Sequence, residues 1–246
     1  MSLSLASTAC GPVASDAPPL PAATADAGGG ADASSDSHAE TAAQVEWDAS
    51  ACGPGDVQTF VPGGYVPAHA PQDACDPDDI EGIYESCLGP NRSPDGCAAV
   101  QASKAACFSC LVTPSGGTSY GSVIEYTGFV EPNVAGCVEL VSQGGMSCAK
   151  SLQALAGCQL QACEANCPVT DASSLAAFEG CSAQAEAGGC EAYAQAASCF
   201  WSQADAGPLS VCSATDFHAF FVNASALFCS AGDAGSASYP VDAASD

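Results

Sequence analysis

Residues 148–167 read CAKSLQALAGCQLQACEANC, with Cys148, Cys158, Cys163 and Cys167 set among Ala, Leu and Gln. Ala, Leu and Gln are strong helix formers, and Pro168 closes the run, so the stretch is expected to be one helix. On a helix that rises about 1.5 Å per residue, Cys148 and Cys158 stand about 15 Å apart. One metal ion cannot collect both. At about 100° per residue the cysteines lie on and beside the narrow side that carries Leu152 and Leu155, and only Cys163 and Cys167, one turn apart, could serve a common site. The stretch therefore reads as a helix fastened to different neighbours on either side of a thin apolar face.

Composition explains why such fastening is needed. Leu, Ile, Val and Phe make up about one residue in six of the 246, and the formal charge is −25. A chain that is poor in large apolar residues and highly charged falls on the disordered side by composition alone. Much of the remaining hydrophobic content is Ala and Cys, and an Ala side chain buries too little area to offset about 1–2 kcal/mol of backbone entropy per residue. Seventeen cysteines supply the compensation. Used on this scale they form either a disulfide framework or thiolate metal sites. Metal sites crowd their ligands, whereas Cys75, Cys87, Cys97 and Cys107 are 10 or 12 residues apart, Cys181, Cys190 and Cys199 are 9 apart, and only three His are present to complete mixed sites. The reading is a disulfide framework over Cys52, Cys75, Cys87, Cys97, Cys107, Cys110, Cys137, Cys148, Cys158, Cys163, Cys167, Cys181, Cys190, Cys199, Cys212 and Cys229, in an exported protein.

The seventeenth cysteine, Cys10, stands apart, 42 residues before the next. It opens a Pro-, Gly-, Ala-, Ser- and Asp-rich run that reads as a flexible tether. The preceding LSLASTAC is similar to the end of a bacterial lipoprotein signal, which makes Cys10 the candidate lipid-attachment residue. A working signal also needs a basic leader and an apolar run of 7–15 residues, and no Lys or Arg precedes Arg92; the natural start is expected upstream of Met1. The organisation expected is a signal and lipid-attachment remnant with a disordered acidic linker over 1–46, a cysteine-rich helical domain over 47–229, and a disordered tail over 230–246.

Within the domain, Cys52 to Cys75 is broken by Pro62, Gly63, Gly64, Pro67 and Pro71, and reads as an extended collar. A helix then opens with Asp76 as N-cap, Pro77 at its first position and acids in its first turn. Those acids lack the spacing of a calcium loop. A second helix runs from Ser93 and Pro94 to before Pro114, with Cys97, Val100, Lys104, Cys107, Phe108 and Leu111 along one side. A Gly-rich stretch follows with a short strand at Val123 to Tyr126, and Val134, Val138 and Val141 mark a short helix. Three more helices are expected at Asp171 to Ala187, Cys190 to Gln203 and Thr215 to Cys229. The C-x9-C spacing recurs at Cys97/Cys107 and Cys148/Cys158, as duplicated helical units would show.

Three motifs touch on chemistry. Gly117-Thr118-Ser119-Tyr120-Gly121 fits the nucleophile elbow G-x-S-x-G, but the elbow needs a strand before the serine and a helix after it; here a Gly/Ser turn precedes and a strand follows, and nothing ties His69 or His218 to Ser119. Cys107-Phe108-Ser109-Cys110 is a C-x-x-C at a helix C-terminal end, where the dipole raises rather than lowers a thiol pKa. Together with Cys163 and Cys167 it could supply four zinc ligands, the alternative to separate pairing. Asn91-Arg92-Ser93 and Asn223-Ala224-Ser225 fit the glycosylation sequon without altering this reading.

The series ACGPGDVQTFVPGGYVPA, ACDPDDIEGIYESCLG, CFSCLVT, YGSVIEYTG, NVAGCVEL, CEANCPV and GGCEAYAQAASC resembles, over roughly residues 52–199, a class of cysteine-rich surface proteins of myxobacterial type held by a lipid anchor. The resemblance implies a surface location and a disulfide-rich helical character, and carries over no catalytic residue.

The expectation is thus a mainly α, small disulfide-rich helical domain with short extended or β segments behind a disordered stalk. Its function is read as a non-enzymatic structural or binding role at the cell surface or outside the cell, with metal binding as the alternative and a secreted hydrolase behind it. No cofactor is called for. Three Lys and Arg against 28 Asp and Glu leave no basic surface for phosphates, so nucleic acid is not expected as a partner. The membrane is reached only through the lipid anchor, the chain is expected to be a monomer, and its partner lies in the envelope or outside it.

Overall fold

The computed structural model describes residues 52–142, 145–202, 207–214 and 216–230. Cys10, the 1–46 stalk, the start of the domain at 47 and residues 231–246 of the tail lie outside them. The described chain is mainly helical, with three short strands.

The first helix, α1 (Pro77–Ile83), starts as its sequence dictates, with Asp76 in the extended N-cap position, Pro77 at N1 and Asp78 and Asp79 in the first turn. It widens into one π-helical turn, Tyr84–Leu88, that places Cys87 opposite Cys97 of α2 (Pro94–Ser103). The Ser93 side chain caps α2 by accepting from Gly96 N at 3.1 Å. The single helix expected from Ser93 onward is broken at Lys104, whose φ of −123° and ψ of 39° leave the helical region. The break has a packing reason: α2 buries no side chain, whereas α3 (Ala105–Leu111) turns Cys107, Cys110 and Leu111 into the core.

The chain then forms β1 (Val112–Pro114), β2 (Val123–Glu125) and β3 (Val130–Pro132), ordered β1-β2-β3. β2 and β3 form an antiparallel hairpin turned at Gly128, which holds φ +92° against the Val169 carbonyl. β1 and β2 are parallel, with Val112 opposite Val123, a pairing the sequence did not announce because parallel neighbours usually need a crossover of a dozen or more residues. Here residues 115–122 alone return the chain. The loop folds tightly: Tyr120 Oη donates to Ser115 O at 2.5 Å and Gly121 N to Thr113 Oγ1 at 3.0 Å. Gly121 lies so close to α3 that a Cβ would strike the Cys110 and Leu111 carbonyl oxygens. Asn133 then caps α4 (Val134–Val141), accepting from Gly136 N and donating to Gly121 O.

The opening stretch of the sequence becomes α5 (Met146–Cys163), the spine of one half of the molecule. It buries Leu152 and Leu155 with Cys158 and Cys163, as its narrow apolar side implied. It ends at Cys163, not at Pro168; a turn over 164–166 follows and carries Cys167 off the helix. α6 (Ala172–Ala187) begins at Asp171 in a reciprocal capping box with Ser174, which holds the Asp171 carboxyl below its ordinary pKa. The helix expected at Cys190 to Gln203 appears as α7 (Glu191–Ala196) and α8 (Ser198–Trp201), meeting at the fully buried Ala197, with residue 203 outside the described chain. A 3-10 turn, Gly207–Cys212, precedes α9 (Phe217–Cys229), which Asp216 caps through Ala219 N.

α5 packs against α4, α6 and α7, while α9 packs against α1, α3, α4 and the 3-10 turn. Phe200, Phe221, Phe228, Ile83, Leu111, Val123 and Val138 are the largest fully buried side chains. No described helix is long and apolar enough to cross a membrane.

Candidate functional site

All sixteen cysteines of the described chain lie in disulfides. From α5, Cys148 reaches Cys199, Cys158 reaches Cys190 and Cys163 reaches Cys181, tying the spine to α8, α7 and α6 in turn. Cys52–Cys167, Cys75–Cys107, Cys87–Cys97, Cys110–Cys229 and Cys137–Cys212 join the rest. Cys107, Cys110, Cys163 and Cys167, the four candidate zinc ligands, thus belong to four different disulfides. A sulfur so bonded has no thiolate to offer, and no group of three or more metal-ligating side chains occurs among the described residues. Disulfides in this number form and persist in oxidising compartments.

Ser119 sits in the loop between β1 and β2. A strand does precede it, contrary to the sequence reading, but a second strand rather than a helix follows. His69 comes near, its N–H donating to Tyr120 O at 2.7 Å; its ring Nδ1 lies 3.3 Å from the Cys110 carbonyl oxygen. His218 instead faces Glu81, 3.1 Å from Oε1. Among the described residues no hydrogen bond joins Ser119 to either histidine. Asn91 is exposed, and Asn223 is exposed on α9 while Ser225 of the same sequon is buried against Ser122 at 2.9 Å.

The feature that the sequence did not disclose is a groove of about 1180 Å³ beside α5. Its architecture follows from the collar, which is a strap along the helix. Cys52 fixes one end to Cys167, and Cys75 fixes the other to Cys107. Between them Gly55 N donates to Ala162 O, the Phe60 ring meets Tyr193 edge-on at 5.3 Å, and the Gln153 amide binds both backbone groups of Val66, at 2.8 and 3.1 Å. The Glu139 carboxylate accepts from Tyr65 Oη at 2.8 Å and Ala68 N at 2.7 Å. Ala68 also forms an isolated parallel bridge to Tyr120 in the loop between β1 and β2, which ties the strap to that loop.

The groove flanks this strap. Phe60, Pro62, Gly63, Gly64, Tyr65 and Val66 form its strap wall; Ile124, Tyr126 and Glu131 present one face of the β2–β3 hairpin; and α5 supplies the floor from Met146 and Lys150 to Leu160, with Glu164 just past its end. Trp201 and Met146, both lining it, are 58% and 40% exposed and leave apolar surface along it.

Electrostatics single out the hairpin. Burial pushes the Glu131 carboxyl up to about 7, and the Tyr126 hydroxyl facing it pulls the other way without cancelling the effect. Tyr126 is itself raised, by burial first and then by Glu131 and the nearby Tyr120 and Glu164. Tyr65 is raised by burial and by its bond to Glu139. Near neutrality, then, the phenols are uncharged donors, and Glu131 is poised between acid and carboxylate.

No protein-family model matches the chain, and neither a curated protein nor a solved structure resembles it significantly.

Proposed function

We propose that this is a secreted or cell-surface binding protein without catalytic activity, whose disulfide-framed groove beside α5 receives a ligand, and which is tethered to the envelope through Cys10. The observation that carries the reading is the strap itself. A segment rich in Pro and Gly is locked at both ends by disulfides and pinned between by Glu139 and Gln153, and it makes a preformed wall rather than filling the cleft. Rigid framing lowers the ordering cost of binding, and pockets that bind are largely preformed and lined by aromatic groups with a few polar ones. The sixteen paired cysteines favour life outside the reducing cytoplasm, and the likeness to lipid-anchored surface proteins supports the tether.

Proteolytic shaving of intact cells combined with thiol alkylation tests this reading. The expected result is a protein removed from the cell surface, with sixteen cysteines that alkylate only after reduction, and released from the envelope by Cys10→Ser. A protein retained inside cells with reactive thiols overturns it.

A further inference from the structure

We propose that the groove binds an extended peptide segment bearing Arg or Lys, laid along the strap with its cationic side chains directed to Glu131 and Glu164. This rests on the binding role just proposed and names the ligand it takes.

Length speaks for a chain rather than a compact molecule. The floor follows α5 over its 18 residues, about 27 Å at about 1.5 Å per residue, which is the span of roughly eight residues of extended peptide. The strap wall suits a main chain. Gly63 and Gly64 are exposed, and among the described residues no backbone hydrogen bond engages either, so their backbone groups are open to an incoming strand in the manner of β-augmentation.

Charge selects the side chains. The protein carries a formal charge of −25, and the groove has Glu131, Glu164 and Glu186 against Lys150. A cleft lined by one sign of charge concentrates ligands of the other. Tyr126 and the exposed Trp201 add aromatic faces, and such faces attract guanidinium and ammonium groups. An acidic or phosphorylated segment would meet the repulsion of the whole molecule.

The groups that face Glu131 set a pH signature. Tyr126 on the hairpin hydrogen-bonds Glu131 and, like Tyr120 on the preceding loop, stays neutral below about pH 10, while Glu164, Lys150 and Glu186 lie along the same groove. The cation requires ionised Glu131, so binding below about pH 7 expels one proton from its carboxyl to solvent. Affinity therefore rises with pH up to about 7 and levels off above it.

The experiment uses the full disulfide-bonded protein and a fluorescent peptide of alternating Arg and Gly, with citrulline and Glu counterparts, read by anisotropy and by Trp201 emission against a Trp201→Phe control. The Arg peptide is expected to bind about tenfold more tightly at about pH 8 than at about pH 5.5. Glu131→Gln is expected to weaken it about tenfold or more and to remove the pH dependence; Glu131→Asp keeps part of both. Equal binding of the citrulline peptide, or a folded protein that binds no Arg peptide at either pH, overturns the proposal. Binding of the Glu peptide or of a neutral oligosaccharide with a change in Trp201 emission overturns the cationic ligand while leaving the binding role standing.

Discussion

The two halves of the molecule solve one problem with different materials. Around α5, α6 and α7 the buried side chains are largely small: Ala149, Ala162, Gly180, Ala185 and Ala197 alternate with Cys158, Cys163, Cys181 and Cys190, and three disulfides radiate from one helix. Around α9, by contrast, Phe220, Phe221 and Phe228 pack onto α1, α3 and α4, and this aromatic core stands beside the disulfides Cys75–Cys107, Cys87–Cys97, Cys110–Cys229 and Cys137–Cys212 rather than being replaced by them. A buried Phe removes enough apolar area from water to favour folding by about 1.5–3 kcal/mol. A buried Ala cannot, so in the spine half covalent bonds stand in for side-chain volume. The exposed groove with its half-buried carboxyl lies on the spine half, where the frame is fixed by bonds that do not depend on filling every space.

Three substitutions probe that division. Phe221→Ala, which empties a fully buried site in the aromatic half, is expected to destabilise by about 3–5 kcal/mol, measured by chemical denaturation with disulfides intact. Smaller than about 1 kcal/mol would mean that staples, not phenylalanines, hold that half as well. Replacing Cys158 and Cys190 together by Ala opens a link of sequence separation 32 and is expected to cost about 3–4 kcal/mol by the chain-entropy relation. Hydrogen exchange should locate the loss in α5 and α7; uniform loss across both halves would erase the comparison.

The smallest effect is the pH-dependent one. The Glu131 pKa is raised in the folded chain, so the unfolded chain ionises first, and the wild-type protein loses stability as pH rises from about 4.5 to about 7. The loss is at most about 3 kcal/mol for a rise of this size and less with solvent screening. Glu131→Gln should abolish that slope and be the more stable protein at about pH 8, as thermal melts at several pH values would show. An unchanged slope would move the titrating group elsewhere.

Helix existence was legible where local signals agreed. Ser93, Asp171 and Asp216 each start a helix by capping it, and Pro77 with the acids after it starts α1 without a side-chain cap, because helix starts are a matter of a few adjacent residues. Helix continuity was not. Lys104 and Ala197 sit in uninterrupted helical patterns, and the breaks there answer to partners distant in sequence. Cys167 has the right angle for a longer α5, yet its bond to Cys52, 115 residues away, accompanies its departure from the helix. The groove was the least legible feature. Phe60, Tyr65, Tyr126 and Glu131 are unremarkable in sequence, and only the strap's course beside α5 brings them to one surface; Pro62-Gly63-Gly64 signalled an extended piece but not its neighbour.

The sequence by itself determined that this chain would be helical, acidic and dependent on cysteine, because composition, capping residues and the shortage of large apolar groups are properties of local chemistry. It did not determine who pairs with whom. Sixteen cysteines admit on the order of two million complete pairings, and the tertiary structure selects the eight found, since a disulfide forms where folding brings two Cα atoms within about 4.4–6.8 Å. The same long-range packing draws the strap along α5 and shields the Glu131 carboxyl, for burial is a property of neighbours and not of spacing.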